Sequence, residues 1–258
     1  MTSQQILAIF ADAATDPRFP AALGIAALAG LVRGFSGFGS ALIYIPLVSA
    51  VYGPQVAAPT LLLIDTLCSL PFAIRVMPQC TWREVTPVSI GSAVAAPFGM
   101  MALLWVNPLI LRWFIAGLVL VALVALVSGW RYHGRPTLAA SLGVGASAGF
   151  GGGAVQIAAP PLLVFWLGGN NNAATVRANI MVYFIGQGAL AILLYIYGGL
   201  FTAQTVTLSL LFGLPFAVLL AVGAFWFHGT SDLLYRRVAY VIIAAAGLIS
   251  LPLFDALR

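Results

Sequence analysis

Residues 34–40 read GFSGFGS and interrupt a segment from Pro20 to Val51 that is otherwise apolar. A second cluster, GFGGG at residues 149–153, interrupts the apolar segment Leu138–Leu167 in the same way. Clustered glycine inside a lipid-embedded helix is expected to break it. Each backbone group that is freed costs several kcal/mol unless protein or water satisfies it. The two clusters therefore predict two broken or re-entrant helices.

Composition indicates that most of this chain is surrounded by lipid. Of 258 residues, 62% are apolar and 7% are charged, whereas a soluble domain carries roughly 25% charged residues. All 11 basic residues are arginine, and they lie mostly in short connections between apolar segments. Because no basic stripe with interleaved aromatic residues occurs, a nucleic-acid partner is not expected.

Six further stretches reach the length of about 20 apolar residues that a membrane-spanning helix needs. They are Gln55–Val76, Val85–Val106, Leu109–Trp130, Thr175–Tyr197, Ala203–Phe227 and Leu233–Phe254. All six tryptophans lie at or near the ends of apolar segments, where an indole ring prefers the membrane interface. These patterns predict an all-α polytopic membrane protein with about eight helical elements.

The two interrupted segments are related by an internal duplication. A shift of 115 residues places Gly30 on Gly145, Gly34 on Gly149 and Pro46 on Pro161. Transporters are often built from two such repeats, with the substrate at their interface. The predicted organisation is an N-terminal segment at 1–19, which is a candidate interfacial helix, then repeats at 20–134 and 135–258 in one transmembrane domain.

The arginines predict how the repeats are oriented. If each interrupted segment enters and leaves on the same side, six arginines gather on one face and three on the other. The six are Arg75, Arg83, Arg131, Arg135, Arg236 and Arg237, and the three are Arg18, Arg112 and Arg258. If each segment crosses instead, the count is again six to three, but the clustered pairs fall on opposite faces. The positive-inside rule favours the re-entrant arrangement, which gives inverted repeats and places both termini outside the cytoplasm.

The residues at the breaks predict a site for a small anion. Arg33 adjoins the first break and Arg177 lies near the start of the helix after the second. A guanidinium suits an oxyanion, and the N-termini of the half-helices add N–H groups and partial positive charge. The alternative is that Arg177, and less readily Arg33, lies at the membrane surface. The predicted substrate-binding residues are Arg33, Gly34, Ser36, Gly37, Gly39, Ser40, Gly151, Gly152, Gly153, Gln156, Arg177 and Asn179.

Asp65 is the one acidic residue within a predicted span. An isolated carboxylate there either pairs with an arginine or is kept protonated by desolvation. Asp65 is therefore a candidate for proton coupling, and the alternative is a structural partner for Arg33 or Arg75.

Catalysis and metal binding find little support. Gly34 to Gly37 match the G-x-S-G pattern of an intramembrane serine protease, but such an enzyme needs a histidine base on a facing helix. His133 and His228 lie in connections, and the second cluster has Gly151 in place of Ser36. The cysteines, Cys68 and Cys80, do not form a disulfide framework. No catalytic residue, metal ligand or cofactor is predicted.

The motif GLVRGFSGFGS at residues 30–40, its partner at 145–153 and the prolines that follow each resemble the sulfite exporter TauE/SafE family, also called the 4-toluene sulfonate uptake permease family. The resemblance implies transport of sulfite, or of sulfonates such as sulfoacetate, across the bacterial inner membrane. Many members carry a triple-glycine break in both halves, whereas the first half here has Arg33, Ser36 and Ser40. The expected function is secondary transport by alternating access, with a passive anion channel or uniporter as the alternative. The expected partners are the anion and lipid, and a homodimer is left open.

Overall fold

A computed structural model describes residues 15–36, 39–129, 137–167, 172–226 and 232–251. Within these residues the chain forms ten α-helices, a short 3-10 turn at Met77–Gln79 and no strand. The helices are α1 Phe19–Ser36, α2 Ser40–Tyr52, α3 Pro54–Val76, α4 Trp82–Trp105, α5 Pro108–Ser128, α6 Leu138–Val155, α7 Ala159–Leu167, α8 Ala173–Tyr197, α9 Ala203–Trp226 and α10 Asp232–Ile249. The all-α prediction is confirmed. Most of the predicted N-terminal segment, 1–19, lies outside the described residues.

Six helices are long and apolar enough to cross a membrane: Pro54–Gln79, Trp82–Trp105, Pro108–Ser128, Leu138–Val155, Ala174–Tyr197 and Ala203–Phe225. Five of them agree with predicted spans. The sixth is α6, the first arm of the second broken element, and the predicted span Leu233–Phe254 is not among them. The reason is composition, because the described part of that segment begins with Asp232 and also carries Arg236 and Arg237.

Both predicted breaks are present, but most of the clustered glycines that the structure describes are helical, and Gly39 is the exception. Gly34 and the cluster 149–153 are helical, and the chain leaves the helix only after Ser36 and after Val155. Each break contains a residue with positive φ, Gly39 at 100° and Gln156 at 58°. A non-glycine residue in the left-handed region costs roughly 1–2 kcal/mol, so the fold holds Gln156 there against its preference.

The glycines serve close helix packing instead. Gly145, Gly149 and Gly153 lie against the α4 backbone, where a Cβ at Gly149 would overlap the carbonyl oxygen of Ser92. On the other side of the molecule, a Cβ at Gly30 would overlap a carbonyl oxygen of α9. Small residues let membrane helices approach this closely, so a glycine that looks like a helix breaker in sequence becomes a contact surface in the fold.

The helices α1 and α2 form a hairpin, the shape that the predicted re-entrant element requires. Arg18, just before α1, donates from Nη1 to the carbonyl oxygen of Val51 at 3.4 Å, and its Cζ lies 4.8 Å from the centre of the Tyr52 ring. The end of α2 therefore returns to the start of α1. Arg18 also forms a 2.9 Å ion pair with Asp16, and the Arg18 side-chain hydrogen bond lowers the pKa of that carboxyl below its usual value.

Corresponding helices of the two halves begin at a constant separation. The starts of α1 and α6, of α2 and α7, and of α3 and α8 are each 119 residues apart. This differs by one helical turn from the predicted shift of 115. The sequence could not distinguish the two shifts, because glycine recurs every four residues on the packed faces of α1 and α6.

Packing between the halves is reciprocal: α1 packs on α9, and α6 packs on α4. The pair α3 and α8 runs antiparallel, since Thr66 meets Gly188 while Thr81, beyond the end of α3, bonds to Asn179. Antiparallel equivalent helices are what inverted repeats require. The inverted orientation itself stays a prediction.

The tryptophans that the structure describes differ in exposure. Trp82 and Trp105 lie at the two ends of α4 and are exposed, whereas Trp166 is 1% exposed. Its ring meets Tyr183 edge-on at 6.4 Å between centroids. The end of α7 is thus covered by α8, so this indole packs inside the bundle rather than anchoring it at the interface.

Candidate functional site

The two breaks adjoin one cavity of about 60 Å³. A water needs roughly 10–15 Å³ of such space, so the cavity has room for a few waters or one small oxyanion. Its walls come from both halves of the chain. The polar and glycine positions among them are Arg33, Gly39, Ser40, Asp65, Thr66, Ser69, Gly152, Gln156, Gln187 and Gly188.

Arg33 and Asp65 form an ion pair on the cavity wall. The Arg33 Nε and Nη2 atoms lie 2.9 Å from Asp65 Oδ1 and Oδ2, respectively, which is a two-pronged contact. Nη2 also donates to Ser69 Oγ at 2.9 Å, and the guanidinium carbon lies 5.6 Å from the centre of the Phe184 ring. Arg33 is 6% exposed. Because desolvation of an unpaired charge is costly, Asp65 is what allows Arg33 to be buried here.

The N-terminus of α2 supplies the next part of the wall. Gly39 caps this helix in a left-handed conformation, and Ser40 Oγ donates to Asp65 Oδ1 at 3.3 Å. The first N–H groups of a helix carry partial positive charge, so this end is suited to an anion. The N-terminus of α7 is poorer in donors, because Pro160 and Pro161 have no N–H. The two half-helix ends are therefore unequal.

Gln156 fixes the second break. Its N–H bonds to the carbonyl oxygen of Gly152 at 3.2 Å, and its Nε2 donates to Tyr195 Oη at 3.2 Å. Tyr195 in turn donates to the carbonyl oxygen of Gly153 at 2.8 Å. Backbone held in an unfavourable conformation clusters at binding sites, and here the hydrogen bonds of Gln156 hold it beside the cavity.

Several polar residues of the wall were not predicted, and Gln187 is the most buried of them. It is 6% exposed, and its Oε1 accepts a hydrogen bond from Ser92 Oγ at 2.5 Å. Thr66 follows Asp65 directly on α3, and Ser69 lies one turn further along. The sequence did carry a signal for Gln187, since an amide between two glycines in an apolar span is a polar residue at membrane depth.

The structure brings six of the 13 predicted site residues together. Arg33, Gly39, Ser40, Gly152, Gln156 and Asp65 line the cavity. Gly34, Gly151 and Gly153 are not in its lining. A Cβ at Gly34 would overlap a carbonyl oxygen of α9, and one at Gly153 would overlap a carbonyl oxygen of α4, so these two positions are occupied by helix packing.

Arg177 and Asn179 lie elsewhere. Arg177 is exposed near the start of α8. Asn179 is 0% exposed, accepts from the Thr81 N–H at 2.8 Å and donates to Glu84 Oε2 at 3.3 Å. It therefore ties α8 to the beginning of α4. Gly37 and the side chain of Ser36 lie outside the described residues.

The polar lining of the cavity thus combines one cation, one carboxylate and several neutral side chains, and among the described residues no three potential metal ligands cluster. A helical bundle with broken elements around a small polar cavity defines a polytopic membrane transport protein. The chain belongs to the sulfite exporter TauE/SafE family, whose family model matches residues 22–249. The predicted resemblance is thereby confirmed. No curated protein and no solved structure matches the chain.

Proposed function

We propose that this protein is a secondary transporter of a small sulfur oxyanion, sulfite or an organosulfonate such as sulfoacetate, across the bacterial inner membrane. The observation that carries the proposal is the buried, ion-paired Arg33 in a small cavity between two helix breaks. A guanidinium at membrane depth marks a substrate pathway more often than a structural contact, and the family to which the chain belongs is one of sulfite exporters.

The size of the cavity favours the smaller substrate. A volume of about 60 Å³ suits sulfite, whereas a substituted sulfonate needs the walls to move apart. Polar donors reach the space from one charged group, Arg33, and from neutral groups such as Ser40 and the start of α2. Hydrogen bonds to a charged group are worth about 1.5–3 kcal/mol each, enough to replace part of the hydration of the anion.

Asp65 makes a coupled proton the natural partner of the anion. The Arg33–Asp65 pair is neutral overall, so an entering anion is attracted by one member and repelled by the other. Protonation of Asp65 removes the repulsion and releases the guanidinium for the substrate. The titratable groups nearest Asp65 are Arg33 and Cys68. By linkage, anion and proton then strengthen each other's binding.

The position of the cavity between two reciprocal halves supports an alternating-access mechanism. Rocking of one half against the other would expose the same site to each side in turn. The alternatives are a passive channel or uniporter of the same fold and an intramembrane hydrolase that uses Ser36. Counterflow separates a carrier from a channel or a hydrolase, and accumulation of sulfite under an imposed proton gradient separates a coupled transporter from a uniporter.

The first experiment is counterflow of radioactive sulfite in proteoliposomes. A transporter accumulates label transiently when the vesicles are preloaded with unlabelled sulfite, because one binding site exchanges the two. Sulfoacetate, chloride and taurine as competitors then rank the substrates. Equilibration without overshoot identifies a channel, and absence of any sulfite-specific flux refutes the proposal.

A further inference from the structure

Gln187 has an unusual hydrogen-bonding state. On the cavity wall its Oε1 accepts from Ser92 Oγ, and that hydroxyl also bonds to Tyr183 Oη at 2.9 Å. Its Nε2 is buried and has no hydrogen-bond partner within the described part of the chain. The hydroxyls of Ser92 and Tyr183 therefore fix the Oε1 side of the amide, while the two N–H donors of Nε2 have no acceptor within the described part of the chain.

Buried donors in folded proteins are nearly always satisfied by protein or water, because an unsatisfied one carries its full desolvation penalty. Gln187 is on the cavity wall beside Gly152, and a Cβ at Gly152 would lie 2.8 Å from Nε2. Because Gly152 has no side chain, the Gln187 amide has room to pack against it. The acceptor for Nε2 is therefore expected to be a water or a bound anion in the cavity.

We infer that Gln187 Nε2 donates to an oxygen of the transported anion and so helps to determine specificity, an inference that rests on the proposed function. The 119-residue relation between helix starts places Gly152 where the first half has Arg33. At this equivalent position the first half therefore has a guanidinium, whereas in the second half the neutral amide of Gln187 on α8 fills the space beside Gly152. The site would thus contact the oxygens of the anion with one cation and one neutral amide, and not with two cations.

The test is calorimetric binding of sulfite to Gln187→Met and Gln187→Glu in the full-length protein. Met keeps the volume and removes the donors, so sulfite affinity should fall about tenfold to a hundredfold. Glu keeps the shape and the acceptor but places a negative charge toward the anion, so its affinity should fall further. If Glu binds like the parent, the cavity-facing atom is an acceptor and the inference is wrong.

A matched control is Gln55→Met, since Gln55 is exposed and its Nε2 donates to the carbonyl oxygen of Leu103 at 3.2 Å. Its affinity should equal that of the parent. A parent that binds and transports sulfite, together with unchanged binding by Gln187→Met, refutes this inference alone. A parent without sulfite binding or flux refutes the proposed function as well. Should neither variant fold, a selenite-bound parent structure decides: an anion oxygen beyond about 3.2 Å from Nε2 overturns the inference.

Discussion

At the scale of single residues, the ion pair of Arg33 and Asp65 combines two roles that are usually separate. It allows a guanidinium to be buried, and it holds that guanidinium beside the space an anion would occupy. Asp65 is less enclosed than Arg33, with side-chain exposures of 24% and 7%. Solvent therefore reaches the Asp65 carboxylate more readily than the Arg33 guanidinium.

Replacement of Arg33 separates stability from binding. Arg33→Gln leaves Asp65 unpaired, and breaking a buried pair costs up to about 3–5 kcal/mol. Because Asp65 is partly exposed, the lower end is expected. The double variant Arg33→Gln/Asp65→Asn should recover most of the melting temperature but not the affinity. Sulfite binding should weaken by about one to two orders of magnitude in both, as measured by calorimetry.

Arg33→Lys should rescue binding only in part, because an ammonium cannot reproduce the guanidinium fork. Arg83→Gln, in the first turn of α4 and exposed, is the control and should change affinity little. Arg177→Gln tests the other arginine of the predicted site. Its role in binding stays a prediction, and its side chain is exposed in this conformation and does not line the cavity. Parent-like affinity of a folded double variant would show that the arginine is structural.

Asp65→Asn should imitate the protonated carboxyl. In the parent, the carboxylate repels an anion and holds the Arg33 guanidinium in the two-pronged ion pair. The neutral amide removes the repulsion, so the variant should bind methanesulfonate more tightly than the parent in the same buffer, as measured by calorimetry. In proteoliposomes a proton gradient should drive uptake by the parent but not by the variant, and equal gradient-driven uptake by both would argue against proton coupling at Asp65.

At the scale of helices, glycine position decides how closely α4 and α6 approach. Gly149→Ala places a methyl group against the Ser92 backbone, and overpacking of this kind costs about 1–3 kcal/mol. Its melting temperature should fall. Gly143, in the same helix, has nothing within 4 Å of an added Cβ, so Gly143→Ala should gain slightly from helix propensity. Equal melting temperatures would contradict the assigned packing.

The same glycines explain how far sequence reasoning reached. A glycine cluster predicts that a broken element lies nearby. The first break lies within its cluster at residues 34–40, and the second follows the cluster at residues 149–153 by a few residues. Whether a given glycine interrupts a helix or packs it depends on the neighbouring helix, which sequence alone does not place. Gly39 breaks and Gly149 packs, although both belong to similar motifs.

The site shows a similar limit. Arg33 and Asp65 could be predicted because a charged side chain within an apolar segment is costly and therefore marks a partner or a pathway. Gln187 could not be ranked above other polar residues in spans, since its importance comes from Ser92 on α4 and Gly152 on α6. Asn179 carried an equal sequence signal, yet it bonds to Thr81 and Glu84 away from the cavity.

At the scale of the whole molecule, the hairpin of α1 and α2 bears on topology. If this hairpin is re-entrant and the second half is re-entrant as well, the arginine pattern of the sequence predicts that the connections around residues 83, 131–135 and 236–237 share one face. The positive-inside rule then predicts that both termini lie outside the cytoplasm. Alkaline phosphatase fused after Arg258 should be active, and a fluorescent fusion there should be dark. The opposite pair of results would reverse the orientation.

The central claim is that a small oxyanion binds in the cavity between the two breaks, and selenite tests it most directly. Selenite has the shape and charge of sulfite, and selenium gives an anomalous signal that locates it without ambiguity. The account predicts one anomalous peak in the cavity, with oxygens in hydrogen-bond distance of Ser40 and of Arg33 or Gln187. A cavity without selenium, with the peak instead beside exposed Arg177 at the start of α8, would contradict it.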